Sequence, residues 1–189
     1  SVSCHTCSSF VMDYNKLCLG CFRENRSGSD VCPSCGFNEK EYNRKAAEKM
    51  CLPAGTILQG KYLIGKMLGA GGFGITYLGF QLNLDRVVAI KEFFMKEYCN
   101  RDAETSHVSV GSQGSREAVD RFKLKFIKEA QLIAALNHPN IIRIHDIFEE
   151  NGTAYYIMEY QECGSLSDYL EARGALDEAE ALSFIRQIA

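Results

Sequence analysis

The chain has no apolar run approaching the ~20 residues that cross a bilayer, and no charged-then-apolar leader opens it. It also lacks a large excess of either charge. Its 21 Lys and Arg stand against 24 Asp and Glu, a net charge of −3, which gives no general reason for a nucleic acid or an acidic membrane as partner. What it has in quantity is cysteine, nine in 189 residues. Without a secretory leader these point to a reducing compartment, where paired cysteines more often hold metal or do redox work than form structural disulfides. A cytoplasmic protein is expected. With 46% hydrophobic residues, the length suffices for one sizeable core, or for a core plus a small satellite.

The cysteines are unevenly spread. Three C-x-x-C pairs, Cys4/Cys7, Cys18/Cys21 and Cys32/Cys35, crowd the first 35 residues, while Cys51, Cys99 and Cys163 stand singly. Two residues between cysteines let one tight turn aim both thiolates at a single ion, and two such turns complete a tetrahedral zinc shell. Ten residues separate "CLGC" from "CPSCG", and Gly36 follows the second pair with the permissive backbone of a knuckle. Cys18, Cys21, Cys32 and Cys35 are therefore expected to form one structural zinc site. Cys4/Cys7 is surplus: it can replace Cys18/Cys21, since ten residues also separate Cys7 from Cys18, or hold a second metal with His5 nearby. Redox chemistry would want a C-x-x-C at a helix start beside a strand, and four thiolates leave no open position for a catalytic water. Residues 1–36 mix Lys16, Arg23 and Arg26 with Asp13, Glu24 and Asp30, so they show no basic face for nucleic acid.

From 37 to about 54 the charged stretch "FNEKEYNRKAAEKMCL" and its end at Pro53 read as a linker with partial helical character. Beyond it, "LGAGGFGITY" places Gly69, Gly71 and Gly74 in the pattern G-x-G-x-x-G. A dinucleotide fold needs a helix to start at the third glycine, and a P-loop needs Gly-Lys-Ser/Thr. Strand-like "KYLIGKML" and "ITYLGFQL" flank the cluster instead, so it reads as the turn of a glycine-rich hairpin. A further strand, "DRVVAIKEFF", carries Lys91, whose ammonium needs an anionic partner if it is buried. Residues 117–137 show a helical stripe of Val119, Phe122, Phe126, Ala130 and Ile133, with Glu129 at its inner edge. "HPNIIRIHDIF", "EENG" and "TAYYIMEY" then read as another hairpin.

Glycine loop, V-A-I-K, a glutamate in the next helix, "NHPNII" and "YYIMEYQECGSL", in that order, resemble the amino-terminal lobe of a protein kinase over about residues 56–189. With its cysteine-rich prefix the chain looks like bacterial serine/threonine kinases that carry an amino-terminal zinc ribbon. The resemblance implies an ATP site. Leu68 and the backbone of Gly69, Ala70, Gly71, Gly72, Phe73 and Gly74 would close over the phosphates. Ala89 would roof the adenine, and Thr76, in a place usually held by valine, would offer it a methyl group. Lys91 would meet the α- and β-phosphates and pair with Glu129 as the catalytic couple. Met158 would be the gatekeeper, Glu159, Tyr160 and Gln161 the hinge, and Ser165 a ribose contact.

Two departures stand out. Thirty-seven residues separate Lys91 from Glu129, and 98–116, rich in Ser, Asp, Asn and Gly, reads as an inserted loop or small hairpin with "HVSV" as a short strand. After the hinge the 189 residues contain no H-R-D-x-x-x-x-N and no D-F-G, the motifs that supply the catalytic aspartate and the magnesium ligands. The expected fold is α+β: a kinase-like lobe of antiparallel sheet and one major helix, preceded by a small zinc ribbon. The expected divisions are ribbon 1–36, linker 37–54, lobe and hinge 55–164, and the start of a carboxy-terminal lobe 165–189. The expected function is the ATP-binding portion of a kinase that, when complete and loaded with Mg-ATP, phosphorylates protein Ser/Thr hydroxyls. The alternative is a short non-catalytic module that uses ribbon and lobe to contact a partner. With no larger lobe to cover them, Ala181, Leu182, Phe184, Ile185 and Ile188 are expected to stay exposed.

Overall fold

The computed structural model describes residues 14–25 and 29–188; the surplus Cys4/Cys7 pair and His5 lie outside the described residues. Six strands, β1 (Ile57–Leu58), β2 (Tyr62–Gly71), β3 (Gly74–Gln81), β4 (Arg86–Phe93), β7 (Ile144–Glu150) and β8 (Thr153–Glu159), form one sheet in the order β1-β2-β3-β4-β8-β7. Each neighbouring pair is antiparallel. The glycine cluster is a hairpin, β2 running into β3 from Tyr62↔Gln81 to Gly71↔Gly74. The second hairpin turns at Asn151 and Gly152, both left-handed with φ of 52° and 73°, the backbone that an Asn-Gly turn favours.

Successive residues of a strand face opposite sides, and residues directly opposite on neighbouring strands share a side. Thr76↔Lys91, Leu78↔Ala89 and Ala89↔Met158 therefore define one face. On this side lies helix α2 (Gln113–Ala134), which brings Phe126 against Phe93 and Tyr156 at ring distances of 5.6 and 4.9 Å. The helix starts earlier than its apolar stripe suggests because Ser112 caps it, accepting from the Ser115 amide. The last residues of the inserted stretch thus belong to the helix.

The other face holds Tyr77, Ile90, Tyr155 and Ile157, all without exposure. Two segments cover it. One is the stretch expected to be a linker: helix α1 (Glu39–Glu48) buries Ala46, and the following strap buries Cys51 and Leu52, with the Leu52 amide donating to the Tyr77 hydroxyl at 3.0 Å. Full burial of such an apolar side chain contributes roughly 1.5–3 kcal/mol, so 46–54 is part of the core and not a free spacer. The other is the insertion, whose strands β5 (Cys99–Arg101) and β6 (Val108–Val110) pair as a hairpin.

Between these covers sits Glu92, fully buried. Its carboxylate accepts from the Tyr77 and Tyr155 hydroxyls at 2.9 and 2.8 Å and from Arg101 Nη2 at 2.7 Å. Arg101 in turn donates to the carbonyls of Met50 and Ser106. No buried side-chain nitrogen or oxygen among the described residues is left without a partner. The ion pair is shut from water, with side-chain exposures of 4% and 0%, so its charges are weakly screened.

After the sheet, α3 (Leu166–Arg173) and α4 (Glu178–Ile188) form with no buried residue. Leu182, Ile185 and Ile188 are exposed.

Two outcomes are expected. Arg101→Met should lower unfolding free energy in urea by about 3–5 kcal/mol, the cost of stranding a buried charge, and adding Glu92→Gln should recover part of that loss. Burial raises the hydroxyl pKa of Tyr62, Tyr77 and Tyr155, and that of Tyr42 to about 12. The folded chain therefore keeps protons that the unfolded chain releases near pH ~10. The tyrosines' contribution to stability should be level below pH ~10 and fall as pH rises above it, with tyrosinate absorbance growing in step with unfolding.

Candidate functional site

The glycine loop crosses the open edge of the Lys91 face. Leu68, Gly69, Ala70, Gly71, Gly72 and Phe73 are exposed, and Gly74 is buried. The glycines differ in what they answer to. At Gly74 a Cβ would strike the Glu92 carbonyl, so the fold itself forbids a side chain. At Gly69, Gly71 and Gly72 a Cβ would meet nothing within 4 Å, and none of the three has a positive φ. Nothing among the described residues requires glycine at those three positions.

Beneath the loop, Thr76 stands opposite both Lys91 and Gly69. Ala89 is buried between Leu78 and Met158 on its neighbouring strands. Glu159 closes β8, its amide bonded to the Arg143 carbonyl at 2.9 Å, and the exposed Gln161 follows the half-buried Tyr160. Thr76, Ala89, Lys91 and Met158 share one face, and Glu159, opposite Val88, ends β8 on the other side before Tyr160 and Gln161. Ser165 is the cap of α3: its hydroxyl accepts from the Asp168 amide and its own amide donates to the Asp168 carboxylate, a closed capping box.

The expected pairing of Lys91 with Glu129 is not formed. The Lys91 ammonium lies over the rings of Tyr156 and Phe126, 5.5 and 6.0 Å from their centres, where ring faces attract a cation. Glu129 is exposed, while its neighbours Phe126 and Ala130 are turned into the sheet. The fully buried charge of β4 is not Lys91 but Glu92, on the opposite face. The adjacency of Lys91 and Glu92 in an otherwise apolar strand held the signal, since alternation sends one to each side.

The second site is the cysteine cluster. The sulfurs of Cys18, Cys21, Cys32 and Cys35 all lie within 4.8 Å of one another, with Cys18–Cys35 at 3.7 Å and Cys21–Cys32 at 4.0 Å. A tetrahedral shell with metal–sulfur bonds of ≈ 2.3 Å has sulfurs about 3.8 Å apart, so the four thiols fit a metal ion. Burial pushes the Cys18 thiol up to about 12. At Cys32 burial is outweighed by amide hydrogen bonds from Ser34 and Cys35, which bring it down to about 6.

The two loops match. In each, the residue after the second cysteine donates its amide to the first cysteine's carbonyl, Phe22 to Cys18 at 2.7 Å and Gly36 to Cys32 at 2.8 Å. Both are left-handed, with φ of 53° and 71°. That backbone is free for Gly36 and costs Phe22 roughly 1–2 kcal/mol.

The fold and this arrangement of glycine hairpin, strand lysine and crossing helix are those of a protein kinase amino-terminal lobe. The family model described as "Protein kinase domain" matches residues 62–189: the chain belongs to the protein kinase family. Among curated relatives, serine/threonine-protein kinase PrkC of Bacillus subtilis is 36% identical over 134 residues, covering 71% of this chain and 18% of the relative. Serine/threonine-protein kinase pkn2 of Myxococcus xanthus is 34% identical over 140 residues, covering 74% and 14%. A solved structure described as PpkA-294 in its apo form superimposes with a TM-score of 0.64 at 29% identity, covering 70% of this chain and 47% of that one. The kinase domain of Mycobacterium tuberculosis PknI, solved as a point mutant, gives 0.55 at 24% identity and shows the shared fold, covering 74% of this chain and 49% of that one. The chain spans less than a fifth of the length of these two curated relatives and about half of the solved domains. No helix among the described residues is long and apolar enough to cross a membrane.

The contrast between the loop glycines gives a stability test. Gly74→Ala should cost about 1–3 kcal/mol, because β4 must move. Gly71→Ala should stay within about 0.5 kcal/mol of the unaltered chain in thermal unfolding.

Proposed function

We infer that this chain is the ATP-binding lobe of a serine/threonine protein kinase whose complete form transfers the γ-phosphoryl group of Mg-ATP to a protein hydroxyl. The observation that carries the reading is the set of loop glycines, Gly69, Gly71 and Gly72, that the fold does not need, in the β2–β3 hairpin whose Thr76 stands between Gly69 and Lys91. A backbone without side chains lets amide groups approach phosphates closely. In this reading the amides of 69–74 hold the phosphates from above, and Lys91 leaves its aromatic rest to neutralise them. Ala89 and the Thr76 methyl group cover the adenine beside Met158, and the Glu159–Gln161 backbone hydrogen-bonds its edge. Leu68 closes the outer rim, and Ser165, already engaged as a cap, offers its hydroxyl side to the ribose.

Glu129 reaches Lys91 only after α2 turns about its axis, which would make the exposed carboxylate the anionic partner of the active arrangement. Magnesium supplies charge neutralisation at the β- and γ-phosphates, and its usual Asp and Asn ligands are not among these 189 residues.

The four clustered thiolates hold a structural zinc ion: the set is all-sulfur and leaves no coordination position open for a substrate. A reducing, cytoplasmic setting belongs to the same reading, because there paired cysteines more often hold metal than form disulfides. The partners in this reading are ATP and a protein substrate.

Titration with a fluorescent ATP analogue tests the nucleotide reading. Lys91→Met should weaken binding about tenfold or more, as expected for loss of a charge-assisted contact; equal affinity in the variant would refute the assigned role. Metal analysis should find one zinc per chain, absent when Cys32→Ser and Cys35→Ser are combined.

A further inference from the structure

The cysteine loops are docked on the sheet, and on its nucleotide side. Leu78 stands opposite Ala89, and Phe80 opposite Val87 and Leu63, so these apolar residues continue the face that carries Thr76, Ala89 and Lys91. Leu17, Leu19 and Phe22 of the first cysteine loop pack there, 8%, 9% and 7% exposed, and Tyr160 of the hinge joins the same cluster. The Phe22 ring lies 5.3 Å from that of Phe80.

A backbone bond reinforces the contact. The Lys66 amide donates to the Leu19 carbonyl at 3.0 Å, tying the metal loop to β2 just before Leu68 and the glycine run. The fit is close enough that a Cβ on Gly65 would strike both that carbonyl and the Phe22 ring. Phe22 itself is kept in a left-handed backbone where the sister loop has Gly36. The strain is retained at a position whose side chain reaches the sheet.

We propose that the cysteine module is a metal-dependent buttress of the nucleotide site. Zinc fixes the 18–22 loop, and that loop fixes β2 and the hinge-side end of the nucleotide face. The proposal rests on the zinc and nucleotide readings above. Phe22 and Leu19 act as positioning residues: neither is among the residues assigned to touch nucleotide, and each sets the place of strands that do.

The test compares the zinc-loaded chain, the same chain stripped by a chelator under reducing conditions, and the variant Phe22→Gly. Glycine at 22 reproduces the sister loop's Gly36 and relieves the backbone, so the variant keeps its metal while losing the docking ring. Hydrogen exchange at the Lys66 amide should quicken about tenfold in the variant and in the stripped chain, with the Ile157 amide of β8 unchanged. Affinity for a fluorescent ATP analogue should fall about fivefold in both. A Phe22→Gly chain that carries one zinc and matches the unaltered chain in Lys66 exchange and in affinity overturns the proposal. Failure of the earlier readings has a different signature: the unaltered chain then carries no zinc or binds no analogue, which removes the proposal with them.

Discussion

A carboxylate with no access to water sits in the middle of the sheet, and much of the lobe is arranged around it. Removing Glu92 from solvent without partners would be far costlier than any single contact in the core. Tyrosines from β3 and β8 and an arginine from the insertion meet this need. Arg101 passes the constraint on to Met50, and Tyr77 passes it to Leu52, so the segment leading from the metal module is secured to the same point. Because side chains alternate along a strand, holding Glu92 on the covered face commits Lys91 to the other. The orientation of the lysine is a consequence of its neighbour's burial.

The cysteine module and the sheet form one structural unit through two independent contacts. On the covered face the strap 50–52 is bonded to Tyr77 and Arg101; on the nucleotide face the first cysteine loop lies against Leu63, Leu78 and Phe80. The chain passes from one face to the other around β2, where the Tyr42 hydroxyl accepts from the Met67 amide at 2.7 Å beside irregular pairing. The first cysteine loop is thus tied directly to β2, the strand that carries the glycine run.

Most of this was legible where the signal is local. The strands along the chain and the two hairpins followed from β-branched runs and turn residues, while spacing pointed to Cys18, Cys21, Cys32 and Cys35 but left Cys4/Cys7 as an alternative to the first pair. Three features depend on distant partners and were not legible. The stretch 37–54 is charged along α1, and its apolar content, Ala46, Cys51 and Leu52, is too sparse to announce a buried face until the sheet lies beneath it. The pairing of Glu92 with Arg101 joins a strand to an insertion whose polar composition reads as surface. The docking of Phe22 shows only as an aromatic where the knuckle backbone favours glycine, a departure that has meaning once Phe80 is seen against it. The Lys91–Glu129 pair is not formed because, in this helix placement, Lys91 rests over the rings of Phe126 and Tyr156 and Glu129 is exposed.

The central claim is that the open face beneath the glycine run is an ATP site, and mapping backbone amide resonances during titration with Mg-ATP tests it most directly. Shifts concentrated at 69–74, Lys91 and 159–161, with little change at Glu92, Arg101 and the β5–β6 hairpin, are the predicted result. Shifts centred on the covered face, or none at millimolar nucleotide, would contradict the account.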